Sequence, residues 1–220
     1  MDRRVIAYRQ RFLELALHCQ ALRFGEFHLK SGRTSPFFFN AGQFNTGGAL
    51  AGLAECYADA MEAAGIKFDM LFGPAYKGIP LATALGVALA RRNQDVPIAF
   101  NRKEAKTHGE GGSLIGAPLS GRVLIVDDVI TAGTAVRESV DIIRGAGGSP
   151  CGVIIAIDRQ ERSAEGQRSA AQEASASLGM PVVAVATLDD LLGFVADRPE
   201  LAPHRERLLA YRSQYGSTGG

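Results

Sequence analysis

Lysine is scarce in this sequence, and neither charge is in excess. The 220 residues include 24 basic and 23 acidic side chains, which gives a formal net charge of +1. A surface built to bind nucleic acid or an anionic membrane needs a basic excess, so neither is expected as a partner. Nineteen basic residues are Arg and only five are Lys. The lysines are Lys30, Lys67, Lys77, Lys103 and Lys106.

Cysteine and long apolar runs are limited too. Cys19, Cys56 and Cys151 are odd in number and widely spaced, which indicates neither a disulfide framework nor a zinc site. No stretch reaches the roughly 18 consecutive apolar residues that a membrane helix needs. The charged start of the chain lacks the apolar run of a signal peptide. These features predict a cytoplasmic protein.

The rest of the composition is that of an ordinary globular domain. Hydrophobic residues make up 46% and charged residues 21% of the chain, which argues against disorder. The length predicts a single domain, which we place over residues 1–215. The small polar residues 216–220 predict a disordered tail.

Apolar periodicity predicts an open α/β fold. An amphipathic N-terminal helix and two extended runs around a polar turn are followed by a helix over residues 47–64, which Thr46 would cap and Gly65 would end. Apolar runs then alternate with helix-length segments, which implies a parallel five-stranded sheet with helices on both faces. Ligands in such folds bind beyond the carboxyl ends of the strands. The predicted strands cover residues 70–72, 97–100, 123–126, 153–157 and 182–186, and the predicted helices 78–92, 132–145, 163–178 and 187–196.

The third run of the sheet ends in a pair of acids. In RVLIVDDVITAGTAVRESV, Asp127 and Asp128 follow four apolar residues, and small residues then open a helix. Small residues let backbone N–H groups approach a phosphate, and the helix adds its positive end. Alternatively, Asp128 and Thr131 only cap the helix. Both G-x-x-x-x-G-K-[ST] and an early G-x-G-x-x-G are lacking, which argues against a phosphate-loop nucleotidase and a dinucleotide-binding fold.

VDDVITAGTA, residues 126–135, resembles the phosphoribosyl-pyrophosphate (PRPP) motif of type I phosphoribosyltransferases. The resemblance implies that the two acids hold the ribose hydroxyls and that the loop holds the 5-phosphate. These roles fall on Asp127, Asp128, Val129, Ile130, Thr131, Ala132, Gly133, Thr134 and Ala135.

Two basic segments follow other strands. GPAYKGIPLA places Tyr76 and Lys77 in a turn between glycines, and it resembles the family's pyrophosphate loop. FNRKEAKTHGEGG resembles the mobile catalytic loop of orotate phosphoribosyltransferases, which crosses to the neighbouring subunit of a homodimer. A plain βα connection and a solvated charged loop are the alternatives. We predict this loop over residues 102–112. The resemblance assigns Lys103, Asp127 and Asp128 to catalysis, and it assigns Arg102, Lys103, Lys106 and His108 of the loop to PRPP binding.

Two further segments indicate the base. LKSGRTSPFFFNAG, residues 29–42, resembles the orotate-binding hood, a small N-terminal addition that we place over residues 1–45. A core hairpin with a polar tip is the alternative. After the fourth strand, Arg159 matches the family's orotate-binding Arg. The residues that the resemblance assigns to orotate are Lys30, Phe38, Phe39, Thr131 and Arg159.

The resemblance covers nearly the whole chain and implies a reaction. Orotate and PRPP would give orotidine 5′-monophosphate and diphosphate, with Mg²⁺ held mainly by PRPP and no direct protein ligand beyond water-mediated contact with Asp127 and Asp128. Four of the five lysines lie in the segments 24–40, 73–80 and 101–113. A purine or uracil phosphoribosyltransferase would lack the LKSGR turn and Arg159. A regulator that senses PRPP to control RNA or transcription would show a basic face, which the charge of +1 does not indicate.

Overall fold

A central sheet of six strands in the order β5-β4-β3-β6-β7-β8 organises the computed structural model of this chain. The structure describes residues 3–29, 31–106, 112–131, 133–163 and 166–217. Residues 3, 4, 104–106 and 112 are described by their backbone alone. The sheet strands are β3 (Met70–Gly73), β4 (Ile98–Lys106), β5 (Gly112–Gly116), β6 (Arg122–Val126), β7 (Ser149–Asp158) and β8 (Val182–Thr187), and a separate antiparallel hairpin is formed by β1 (Leu22–His28) and β2 (Thr34–Phe39).

The parallel part of the sheet confirms the sequence prediction. Strands β4, β3, β6, β7 and β8 are the five predicted strands, and each pairs in parallel with its neighbour. The sixth strand, β5, was not predicted, and it pairs antiparallel with β4 at the edge. The predicted loop over residues 102–112 is corrected accordingly. Residues 102–106 lie in β4 and Gly112 opens β5, while residues 107–111 fall outside the described part of the chain.

Both faces of the sheet are buried. Its side chains alternate between the two faces, and helices cover each face. In β6, Leu124 and Val126 join the larger core and Val123 and Ile125 join the smaller one. Helices α1, α2, α3, α6 and α7 cover the first face, and α4 and α5 cover the second. The helices are α1 (Arg3–His18), α2 (Gly47–Ala64), α3 (Gly78–Arg91), α4 (Thr134–Gly145), α5 (Ala170–Leu178), α6 (Leu188–Ala196) and α7 (Ala202–Tyr215).

Local signals set most helix ends. The Thr46 side chain accepts a hydrogen bond from Ala49 N, and Gly65 ends α2 in the left-handed region at φ 65°, as predicted. Helix α5 begins after Ser169, seven residues later than predicted, because Ser169 and Gln172 form a capping box there. No prediction was made for α7. None of the helices in the described residues is long and apolar enough to cross a membrane.

Candidate active site

The carboxyl ends of four neighbouring parallel strands bring the predicted site residues to one edge of the sheet. The order across this edge is β4, β3, β6 and β7. Lys103 belongs to β4, Lys77 follows β3, the two acids follow β6 and Arg159 follows β7. Strand order therefore places the acids between amino groups on one side and a guanidinium on the other.

Asp127 and Asp128 are nearly buried, with relative exposures of 9% and 6%. The Asp127 carboxylate accepts a 2.8 Å hydrogen bond from Asp128 N, and the buried Tyr57 hydroxyl donates to Asp127 O at 2.9 Å. Burial and the neighbouring Asp128 carboxylate raise the pKa of Asp127 to about 7. A perturbed carboxyl pair at a strand end is typical of a functional site, because stability alone does not favour it.

Lys77 lies against this pair. Its Nζ donates to Asp128 Oδ2 at 2.6 Å, and its side chain is half exposed while that of Asp128 is buried. Lys77 immediately precedes α3, whose first residue, Gly78, lies against the end of β6. The ammonium therefore stands between the acids and solvent, where it can meet an anionic ligand.

The loop between β3 and α3 is fastened to β4. Ala75 N donates to Asn101 Oδ1 at 2.7 Å, and the Lys103 ammonium lies 5.0 Å from the centre of the exposed Tyr76 ring. A cavity of about 610 Å³ opens between this loop, the Arg102 and Lys103 segment of β4, and α4. Two of the predicted basic residues, Arg102 and Lys103, thus border this open space.

The segment that follows the acids is anchored on both sides of the sheet. Val129 packs against the larger core and Ile130 against the smaller one. Thr131, Thr134 and Ala135 are exposed. Gly133 caps α4 at φ 71°, a conformation that favours glycine. The loop thus presents small side chains and the free N–H groups of a helix start to solvent.

The N-terminal hairpin reaches the same edge at Arg159. Arg159 Nη2 donates to the buried Ser35 hydroxyl at 2.8 Å, and the guanidinium lies 4.1 Å from the centre of the Phe37 ring. Phe38 is half-buried and stacks on Phe27, whereas the Phe39 ring is buried in the core. Phe39 can therefore meet a ligand through its backbone only.

Some predicted residues fall outside the described part of the chain, and some contacts had no sequence signal. Lys30, His108 and Ala132 are not described, and Lys106 is described only by its backbone in β4. Asn101, Tyr57 and Ser35 were not predicted. A single Asn, Tyr or Ser has no distinctive spacing, so only tertiary contacts reveal these three residues.

The carboxylates of the site supply some, but not all, of the oxygen ligands that a magnesium ion needs. Two adjacent carboxylates offer the oxygen ligands that Mg²⁺ prefers. In the described ranges, no group of three or more His, Cys, Asp or Glu side chains is placed to hold a metal ion. A magnesium ion at Asp127 and Asp128 would need further oxygens from a ligand.

Comparison with known proteins gives concordant results. Residues 43–171 match the model of the phosphoribosyl transferase domain. Orotate phosphoribosyltransferase of Xanthomonas campestris pv. campestris strain B100 is 66% identical over 96% of this chain and 97% of its own length. The Stenotrophomonas maltophilia K279a enzyme of the same name is 62% identical over 95% of this chain and 96% of its own length. The crystal structure of orotate phosphoribosyltransferase from Francisella tularensis covers 94% of this chain and 99% of its own, at TM-score 0.84 and 44% identity.

Proposed function

The chain belongs to the orotate phosphoribosyltransferase family, and on that premise we infer that it transfers the phosphoribosyl group of PRPP to orotate. The products are orotidine 5′-monophosphate and diphosphate, as in pyrimidine nucleotide synthesis. The bond from the anomeric carbon to the diphosphate oxygen breaks, and a bond to the orotate ring nitrogen forms. That nitrogen is conjugated and acidic, so no dedicated general base is required.

The order of groups along the sheet edge is the observation that supports this reaction best. Lys103 and Lys77 lie on one side, Asp127 and Asp128 in the middle, and Arg159 on the other side. PRPP and orotate, when aligned for the reaction, present their groups in the matching order. The diphosphate comes first, the ribose lies in the middle and the anionic base follows. A binding module for PRPP alone would need no Arg159 beyond the acids.

We assign PRPP binding to the acids and the loops around them. Asp127 and Asp128 accept hydrogen bonds from the ribose hydroxyls. Backbone N–H groups at the start of α4 hold the 5-phosphate, since a helix start binds anions. Residues assigned to PRPP are Tyr76, Lys77, Arg102, Lys103, Lys106, His108, Asp127, Asp128, Val129, Ile130, Thr131, Ala132, Gly133, Thr134 and Ala135.

The ammonium groups serve the leaving group. As the bond to diphosphate breaks, negative charge grows on the diphosphate and positive charge on the ribose ring. In this proposal, Lys77 and Lys103 neutralise the first, and Asp127 and Asp128 stabilise the second. A preorganised charge of this kind contributes about 3–4 kcal/mol to the transition state in comparable sites. Closure of the residue 102–112 segment would keep water from the cationic carbon.

The hood supplies the base site. Arg159 and Lys30 bind the carboxylate and carbonyl oxygens of orotate, and Phe38, the Phe39 backbone and Thr131 complete the contacts. Arginine suits this role, because its planar guanidinium matches a carboxylate. Burial of the Phe39 ring in the core holds its backbone in place.

Magnesium is the proposed cofactor. It would be held mainly by PRPP oxygens, with Asp127 and Asp128 contributing through water. When bound, Mg²⁺ offsets the negative charge of the diphosphate.

We further propose one domain over residues 1–215 with the hood at 1–45, and a homodimer in which the 102–112 segment crosses between subunits. The disordered tail that we predict at residues 216–220 is corrected at its start, because Gly216 forms a bridge with Glu161 and Ser217 N donates to Gln160 O. A cytoplasmic location suits the three free cysteines.

A spectrophotometric assay tests the function. The loss of orotate absorbance is followed with PRPP and Mg²⁺, and adenine, hypoxanthine and uracil serve as alternative bases. We expect turnover of orotate and of none of the other three bases. Absence of turnover with orotate, or faster turnover of another base, would overturn the proposal.

A further inference from the structure

Arg159 is held by a small polar cluster that joins three parts of the fold. Its Nε donates to Glu161 Oε1 at 2.8 Å, and its Nη2 lies 2.7 Å from the same oxygen in an ion pair. The Tyr211 hydroxyl of α7 donates to the same oxygen at 2.8 Å. The second Glu161 oxygen lies 3.9 Å from Arg33 Nη1 in the hood turn. Glu161 therefore links the end of β7, the hood and the C-terminal helix.

The contacts of the cluster determine which guanidinium nitrogen of Arg159 remains available to a ligand. Glu161 and Ser35 take the Nε and Nη2 donors, and the Phe37 ring covers one flat side. In the described part of the chain, the hydrogen bonds and the ion pair of Arg159 use Nε and Nη2. Nη1 is thus the nitrogen that the cluster leaves for a ligand.

The C-terminal segment keeps the turn after β7 in place. Arg162 N donates to Tyr215 O at 2.8 Å, and Ser217 N donates to Gln160 O at 2.7 Å. The Tyr211 ring also packs edge-on against Phe37. Tyr211 therefore contacts both the carboxylate and the ring that orient Arg159.

We propose that Glu161 and Tyr211 are positioning residues for orotate, which act by fixing the guanidinium of Arg159. This inference rests on the proposed function. Burial and the Glu161 carboxylate raise the pKa of Tyr211 to about 12, so the hydroxyl remains a donor at neutral pH. A charge-assisted hydrogen bond within a buried cluster is among the stronger ones in proteins.

Tyr211→Phe removes one hydroxyl and keeps the ring. We expect kcat/KM for orotate to fall about five-fold, the loss of one such bond, with the KM for PRPP unchanged. Tyr215→Phe is the matched control, because Tyr215 lies on the same helix and its hydroxyl makes no hydrogen bond within the described residues. Melting temperatures of both variants report on folding. An unchanged kcat/KM in a folded Tyr211→Phe protein would overturn the proposal.

A double-mutant cycle separates positioning from general packing. In an Arg159→Ala background, Tyr211→Phe should have no further effect on kcat/KM for orotate, since the group through which it acts is absent. A full five-fold effect in that background would mean that Tyr211 acts only through the fold. Absence of orotate turnover by the wild-type protein would instead refute the proposed function itself.

Glu161→Gln gives a test of sign. If Glu161 were only a negative charge near an anionic substrate, its neutralisation would lower the KM for orotate. A positioning role predicts a higher KM, because the amide is a weaker acceptor for Arg159 and Tyr211. A lower KM would contradict the proposal.

Discussion

Lys77 Nζ lies 2.6 Å from Asp128 Oδ2, although 51 residues separate the two positions in the chain. The contact forms because β3 and β6 are adjacent in the sheet and both residues follow the strand ends. One partner is buried and the other is half exposed, so the ammonium can turn toward a ligand without leaving the site. The ion pair keeps a positive charge beside the carboxylates before substrate binds.

Lys77→Ala should lower kcat about 100-fold, as removal of one preorganised charge does in comparable enzymes. The KM for orotate should change little, because Lys77 lies on the far side of the acids from Arg159. Steady-state kinetics with both substrates varied checks this. Lys67→Ala, at an exposed lysine between α2 and β3, serves as control and should match the wild-type protein. An equal loss in both variants would contradict the assignment.

Asp127→Asn should raise the thermal stability of the ligand-free protein at high pH while abolishing most activity. The folded pKa of about 7 exceeds the ordinary value of 3.8, so between these values the folded protein keeps a proton that the unfolded chain has lost. Stability therefore falls as pH rises through this window. Asn cannot ionise, so its melting temperature at about pH 8 should exceed that of the wild type by about 3–6 °C.

The difference in melting temperature should vanish near pH 4, where Asp127 is protonated in the folded protein. Calorimetry in a chelating buffer measures both conditions. Asp69→Asn is the contrasting variant, because hydrogen bonds from Arg122 lower the pKa of Asp69 to about 2. It should not raise the melting temperature. A wild-type melting temperature independent of pH between 4 and 8 would exclude the raised pKa.

Gly78→Ala should disrupt the site through the backbone. An added Cβ would lie 2.7 Å from Val126 O and 2.5 Å from Pro74 Cδ, so the end of β6 or the preceding loop must move. A displacement of about 1 Å costs about 100-fold in rate when it separates reacting groups. Gly193→Ala is the control, since its Cβ would meet nothing within 4 Å. Equal activity of the two variants would show that the close packing of Gly78 is not needed.

Lys103→Ala should lower kcat about 100-fold, with less than about a three-fold change in the KM for orotate. The reason is position, since Lys103 lies on β4 with its ammonium near Tyr76 and far along the edge from Arg159. Single-turnover kinetics with saturating PRPP measures the chemical step. An unchanged kcat would remove Lys103 from the chemistry.

Mixed dimers of Lys106→Ala and Asp127→Asn subunits test exchange of the 102–112 segment. If Lys106 serves the partner's site, each mixed dimer has one intact site, which predicts recovery of about one quarter of wild-type activity in a random mixture. Mixing Lys77→Ala with Asp127→Asn is the control, and it should recover nothing because both residues belong to one subunit's site. No recovery in the first mixture, with mixed dimers confirmed by mass spectrometry, would argue against sharing.

Local pattern accounted for the strands and for the residues that follow them. Apolar runs on both faces predicted five parallel strands, and Thr46 and Gly65 marked the ends of α2. The β5 edge strand escaped prediction because its pairing with β4 depends on a distant partner and not on its own sequence. Helix α7 also escaped, since only two of its side chains are buried, Leu208 and Tyr211.

The sequence by itself determined which chemical groups this protein possesses, because motifs such as VDDVITAGTA are contiguous and their spacing is local. Only the tertiary structure decided how those groups are held. The contacts of Tyr57 with Asp127, of Asn101 with Ala75, and of Tyr211 with Glu161 join residues that are 70, 26 and 50 positions apart in the chain. Hydrogen bonds over such separations exist only after the strands have paired and the helices have packed, so no local pattern encodes them.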